Sequence, residues 1–235
     1  MREDRASQRM LSYFETGLRL FGHSFYEKRT VTLEDLEDCS AILDSRLVRL
    51  MPFEDDLGRP VIVLRKVADE GDEYTTYDLT QEKISQLGLN RNHFAKAHWY
   101  ILHAAMERDC CLQNGIVFLV DLRNITPQHI LKVGPVIAGA SADVDCCLPL
   151  KIRARHIILG HNHSLARVAI QALLSFATLA VEERSVLHAR ALEDNLEELG
   201  IRYGINVNIL PADVGGTVDA EYFAHWLEER RAAGI

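Results

Sequence analysis

The chain has 235 residues, with 26 Lys and Arg against 34 Asp and Glu, for a formal net charge of −8. That length suits one or two domains and can bury a full-sized core without staples. With 48% hydrophobic and 26% charged residues, the composition excludes a disordered or fibrous chain, and the acidic balance disfavours a generally basic nucleic-acid binder.

Met1 is followed by Arg2, Glu3, Asp4 and Arg5 with no apolar run behind them, so no secretory signal is expected. No stretch reaches the roughly 18 apolar residues of a membrane span. The five cysteines are Cys39, Cys110, Cys111, Cys146 and Cys147. An odd count with two adjacent pairs reads as free thiols in a reducing, cytoplasmic setting.

Met10, Leu11, Phe14, Leu18 and Phe21 recur at helical steps and predict a helix within residues 1–29. A short helix over 33–44 opens at Thr32, with Asp35 three residues on. Residues 54–58 form a charged turn ahead of a strand at Val61-Ile62-Val63-Leu64. Residues 71–88 are polar surface. Asn90 opens a helix through about Cys111, which Gln113-Asn114-Gly115 ends.

A second strand spans Ile116 to Val120, and Thr126-Pro127 starts the next helix. A third strand is His156-Ile157-Ile158-Leu159. Ser164 caps a helix over 165–181, another helix covers 189–199, a fourth strand runs from Ile205 to Leu210, and a last helix covers 218–231. Strands alternating with helices predict an α/β fold with a mainly parallel sheet.

Several chemistries lack their motifs. The sequence has no G-x-G-x-x-G, no P-loop, no G-x-S-x-G elbow and no C-x-x-C. Asp121 ends the second strand, where α/β sheets place ligands, yet it reads as a loop-capping carboxylate. His156, His161 and His163 lack zinc-ligand spacing and read as ordinary polar groups.

The helix at 165–181 carries apolar residues almost all round, with only Arg167, Gln171, Ser175 and Thr178 as a polar ribbon. Such a helix is either a central core helix or a lid that faces an apolar cavity or a bilayer. At about 25 Å it is short for a membrane span. Beside it lie Lys151, Arg153, Arg155 and Arg184, either a solvated strand edge or a site for an anionic headgroup.

Four segments in order resemble the CRAL-TRIO lipid-binding family, of the type that includes tocopherol- and retinaldehyde-binding members. They are A-I-L-D-S (41–45) with D-L-G-R-P-V-I-V-L-R (56–65), Q-N-G-I-V-F-L-V-D-L (113–122), L-P-L-K-I-R-A-R-H-I-I (148–158) and I-L-P-A-D-V-G-G-T (209–217). The resemblance covers about residues 40–217. It implies an open, mostly parallel sheet flanked by helices, flooring an apolar pocket that a helical gate closes. Residues 1–38 correspond to a partial N-terminal helical module, 39–217 to the lipid-binding domain, and 218–235 to a C-terminal helix packed on it.

On this resemblance, Phe118, Val120, Ile157, Leu159, Leu173 and Phe176 are the candidate pocket walls. Lys151, Arg153 and Arg184 fall on phosphoinositide-contacting positions. No catalytic residue, cofactor or metal is implied, and no nucleic acid partner. The implied role is a cytoplasmic carrier that moves one hydrophobic ligand, tocopherol- or retinoid-like or a phospholipid, between membranes with transient peripheral attachment. The sequence departs from the family pattern at Ala180, Glu182 and Val214, and at Arg155, where an apolar wall residue is common. A cation at 155 either meets a polar head inside the cavity or forms a salt bridge that shrinks it. A second reading is therefore a regulatory module that binds a protein or phosphoinositides with a reduced pocket. A third is an enzyme at the strand ends using Asp121 and His129.

Overall fold

The computed structural model describes residues 2–27, 30–65, 80–123, 125, 127–160, 167–171, 184–219 and 221–235. At its centre is a five-stranded sheet whose spatial order follows the chain. Strands β1 (Val48–Glu54) and β2 (Pro60–Arg65) pair antiparallel. Strands β3 (Ile116–Leu122), β4 (Ile152–Leu159) and β5 (Ser185–His188) then add in parallel.

The β1–β2 turn is set by one carboxylate. Asp55 accepts from the backbone N–H of Leu57 at 3.0 Å and of Arg59 at 2.9 Å, and pairs with the Arg59 guanidinium at 2.6 Å. The alternating residues of β3 divide the core. Ile116 and Phe118 enter a large cluster on one face, while Val117 and Leu119 enter a second cluster on the other.

The first face is covered by helices α1 (Arg2–Phe21), α2 (Ser24–Glu27), α3 (Ser40–Asp44), α5 (Arg91–Met106) and α8 (Gly134–Asp145). Between them α4 (Gln81–Gln86), α6 (Asp109–Asn114) and α7 (Pro127–Lys132) are short. Helix α5 is the central one, with Trp99, Tyr100, Ile101 and Leu102 all buried. Asn90 caps it, its side chain accepting from Asn92 N–H at 2.9 Å. Tyr13 of α1 stacks on Trp99 at 5.0 Å between centroids. The second face is covered by α9 (Leu192–Tyr203) and the segment through Val218. Helix α10 (Tyr222–Ala233) returns Phe223 and Leu227 to the large cluster. Among the described residues no helix is long and apolar enough to cross a membrane.

The motif around Gly115 has a steric cause. Its φ is +78°, and a Cβ there would lie 2.3 Å from the carbonyl oxygen of Lys151. Only glycine lets β3 begin this close to β4, where Ile116 N–H bonds that same carbonyl at 2.9 Å.

Three expectations are corrected. The strand expected over 205–210 is an extended link and a 3₁₀ turn, Val207–Ile209. Its apolar residues Ile205, Ile209 and Leu210 pack under the sheet face rather than join the ladder. The helix expected from 90 to 111 breaks after Met106. Arg108 takes an extended conformation there, while its guanidinium binds Met51 O at 2.8 Å and Glu54 at 3.1 Å. The short helix over 33–44 is a 3₁₀ helix, Leu33–Cys39, running into α3, with the Thr32–Asp35 box formed. Thr126 lies outside the described residues.

Candidate functional site

Partners in a parallel pair point to the same side of the sheet. The β3–β4 register places Phe118 beside Arg155, Val120 beside Ile157 and Leu122 beside Leu159. The four candidate wall residues on strands therefore share one face. Ile157 and Leu159 join Ile125, Ile130 and Ile170 in a small apolar cluster at the carboxyl ends of the strands. Val120, Leu122, Ala169 and Leu187 lie partly buried against it. This is the candidate floor. Leu173 and Phe176 lie outside the described residues, as does most of 165–181. Within that stretch, residues 167–171 are helical. Ile170 is buried on the floor and Val168 is 63% exposed, so this turn presents opposite sides to core and solvent.

Phe118 sits one step back, in the large cluster, beneath a polar group. The Arg155 guanidinium lies 5.3 Å from the centre of its ring, and the His98 ring stacks on it at 5.6 Å. Both bind one carboxylate. Arg155 Nη2 donates to Asp145 Oδ2, and His98 Nε2 lies 2.9 Å from Asp145 Oδ1. The side chains of Arg155 and Asp145 are only 14% and 10% exposed. Arg155 thus forms the salt bridge that is one of its two expected roles, with Asp145 as the counter-charge. Asp145 is the partner that sequence reasoning missed, because it comes from the last turn of α8 and no local pattern ties it to β4.

The three basic candidates stand at the other end of the strands. Lys151 and Arg153 are exposed at the start of β4, and Arg184 precedes β5. Arg153 Nε donates to Asn114 O at 2.8 Å and Arg184 Nη1 to Ile152 O at 3.1 Å. All three stand at the strand starts, away from the apolar floor at the carboxyl ends.

The opposite face holds two polar clusters. His156 Nδ1 lies 3.0 Å from His188 Nε2, and His188 Nδ1 is 3.5 Å from Glu198 of α9. Burial first, then the neighbouring His188, pushes the His156 imidazole down to about 4, and burial lowers His188 too. His161 and His163 lie outside the described residues, and no group of three metal-ligating side chains occurs among those described. Farther along, Asp121 is held by Arg123, whose Nε and Nη2 each donate at 2.8 Å. Asp213, of the 209–217 segment, pairs with Arg49 at 3.0 Å and Arg65 at 3.1 Å. The side chain of His129 lies outside those described.

Cavities also lie away from this floor. One of about 370 Å³ is lined by rings of α1, α2 and α5, and one of about 300 Å³ lies beside Leu33–Asp44.

No protein-family model matches this sequence, and no curated protein matches it. Solved structures do match it in fold. One is the crystal structure of Sfh5, with a TM-score of 0.51 and 9% sequence identity over 98% of this chain and 83% of that one. That match is to a Sec14/CRAL-TRIO fold. At this identity the likeness concerns the fold.

Proposed function

We propose that the protein binds one hydrophobic molecule, a lipid or a similar apolar compound, over the floor of Val120, Ile157 and Leu159, and carries it between membranes. The observation that supports this most is the apolar cluster at the strand carboxyl ends, on one sheet face and in a fold of Sec14/CRAL-TRIO type. Open α/β sheets bind ligands at that end. Removing apolar surface from water supplies about 25 cal/mol per Å², so a buried lipid tail needs no chemistry to be held. On this reading no bond is made or broken and the chain works in the cytosol at membrane surfaces. The cargo is of tocopherol, retinoid or phospholipid kind. Lys151, Arg153 and Arg184 form a patch for a phosphoinositide headgroup that biases release.

A second reading, a regulatory module with a reduced pocket, is favoured by the Arg155–Asp145 pair, which occupies the face beside Phe118.

Native mass spectrometry of the purified chain, with lipid extraction of the same sample, tests the first reading. A bound apolar species near one-to-one stoichiometry is expected. Protein that stays empty and refuses tocopherol, retinol and phospholipid overturns the carrier and promotes the module.

A further inference from the structure

Resting on the lipid-binding reading, we propose that Arg155 and Asp145 form a polar end-stop that selects cargo by its head. It favours an uncharged oxygen group, an alcohol or a carbonyl, over both a carboxylate and a plain hydrocarbon.

The argument starts from position. Arg155 shares its sheet face with Val120, Ile157 and Leu159, and lies two residues before Ile157. At about 3.3 Å per residue it stands about 7 Å from Ile157 along the strand and about 13 Å from Leu159. An apolar tail lying over the floor therefore meets the guanidinium at the end nearer Phe118.

Hydrogen-bond accounting comes next. A guanidinium carries five N–H donors. Asp145 engages Nη2, and Nε and Nη1 have no protein partner among the described residues. Packing on Phe118 holds the group in place, and Asp145 is itself braced by His98. The guanidinium is thus held in place, while neither free donor is among the buried unpartnered atoms, so a ligand end that covers them must supply the acceptor that water otherwise provides. A hydrocarbon end leaves them unmet. An alcohol accepts from Arg155 and can donate to Asp145, and a carbonyl accepts from Arg155.

Charge separates the remaining classes. Arg155 and Asp145 balance one to one. A carboxylate head would place a second anion beside Asp145 with a single guanidinium between them, and once the ligand covers this largely buried pair an uncompensated charge there is unfavourable. An uncharged oxygen head leaves the balance intact.

Three probes of equal chain length test this: dodecane, 1-dodecanol and dodecanoate, each displacing the fluorescent apolar probe diphenylhexatriene. The wild-type chain is expected to bind 1-dodecanol about tenfold more tightly than either other probe. The Arg155→Met/Asp145→Leu double variant removes both charges together and is expected to bind dodecane and 1-dodecanol alike. Arg155→Met alone, with Asp145 left to His98, is expected to lose the same preference and serves if the double variant does not fold. An unchanged preference for 1-dodecanol in these variants, or strongest wild-type binding of dodecanoate, overturns the proposal. Wild-type protein that takes up none of the three overturns the lipid-binding reading itself.

Discussion

His156 and His188, on neighbouring parallel strands, bring Nδ1 of one to 3.0 Å from Nε2 of the other, both sealed from water. One ring must donate and the other accept, so the contact needs at least one neutral imidazole. Burial lowers both groups in the folded state, His156 to about 4 from 6.5. The unfolded chain therefore binds more protons between those values. Stability is fully present above pH 6.5 and declines as pH falls toward 4, by about 3 kcal/mol from His156 alone. Urea midpoints measured from pH 7.5 to 4.5 should show this fall, and a His156→Phe/His188→Leu double variant should flatten it.

Asp213→Asn should destabilise the fold by about 3–5 kcal/mol, because it leaves the buried Arg49 without its counter-charge. Arg49→Met should cost less, since Asp213 then keeps Arg65. Equilibrium urea unfolding of both variants checks the order.

Gly115→Ala combines a positive φ with a clash against Lys151 O and should cost more than about 2 kcal/mol. At Gly88 φ is +63° with no atom within 4 Å of a Cβ, so Gly88→Ala should cost about 1 kcal/mol. Thermal or urea unfolding of the pair separates steric contact from backbone preference.

Val120 is only partly buried, at the margin between the large cluster and the floor. On the proposed lipid-binding reading, a Val120→Trp side chain takes the ligand's place on the floor and should abolish lipid co-purification while lowering Tm by only a few degrees. Native mass spectrometry and a melting curve on one sample read both.

Cys146 is the exposed thiol, while Cys39, Cys111 and Cys147 are buried. Burial pushes Cys39 up to about 12, and Cys111 and Cys147 to about 11. A thiol reagent at pH 7.5 should modify Cys146 first and reach these three only on unfolding, as peptide mass mapping would show.

The apolar runs of β2, β3 and the second half of β4 were legible because they are buried on both faces and leave no ambiguity of period. Strand β1 was not, since its Arg49 is a core residue only through Asp213, far along the chain. Strand β5 is four residues long, too short to stand out. Residues 205–210 misled because β-branched side chains packing against a sheet look like those within one. For the site, alternation along β3 and β4 sufficed to put Phe118, Val120, Ile157 and Leu159 on one face. Whether Arg155 faced a ligand or a partner depended on Asp145 and His98, which only the packing of α8 and α5 brings there.

The spatial order of the strands is their order of synthesis. The β1–β2 hairpin closes through a turn of a few residues, and each later strand docks on the exposed edge of the one before it. A nascent chain that has emerged through Leu159 already contains both members of the first three strand pairings. Among the described strands each pairs with the one made just before it, so the sheet can grow with the chain at its newest strand while β1 remains the other edge.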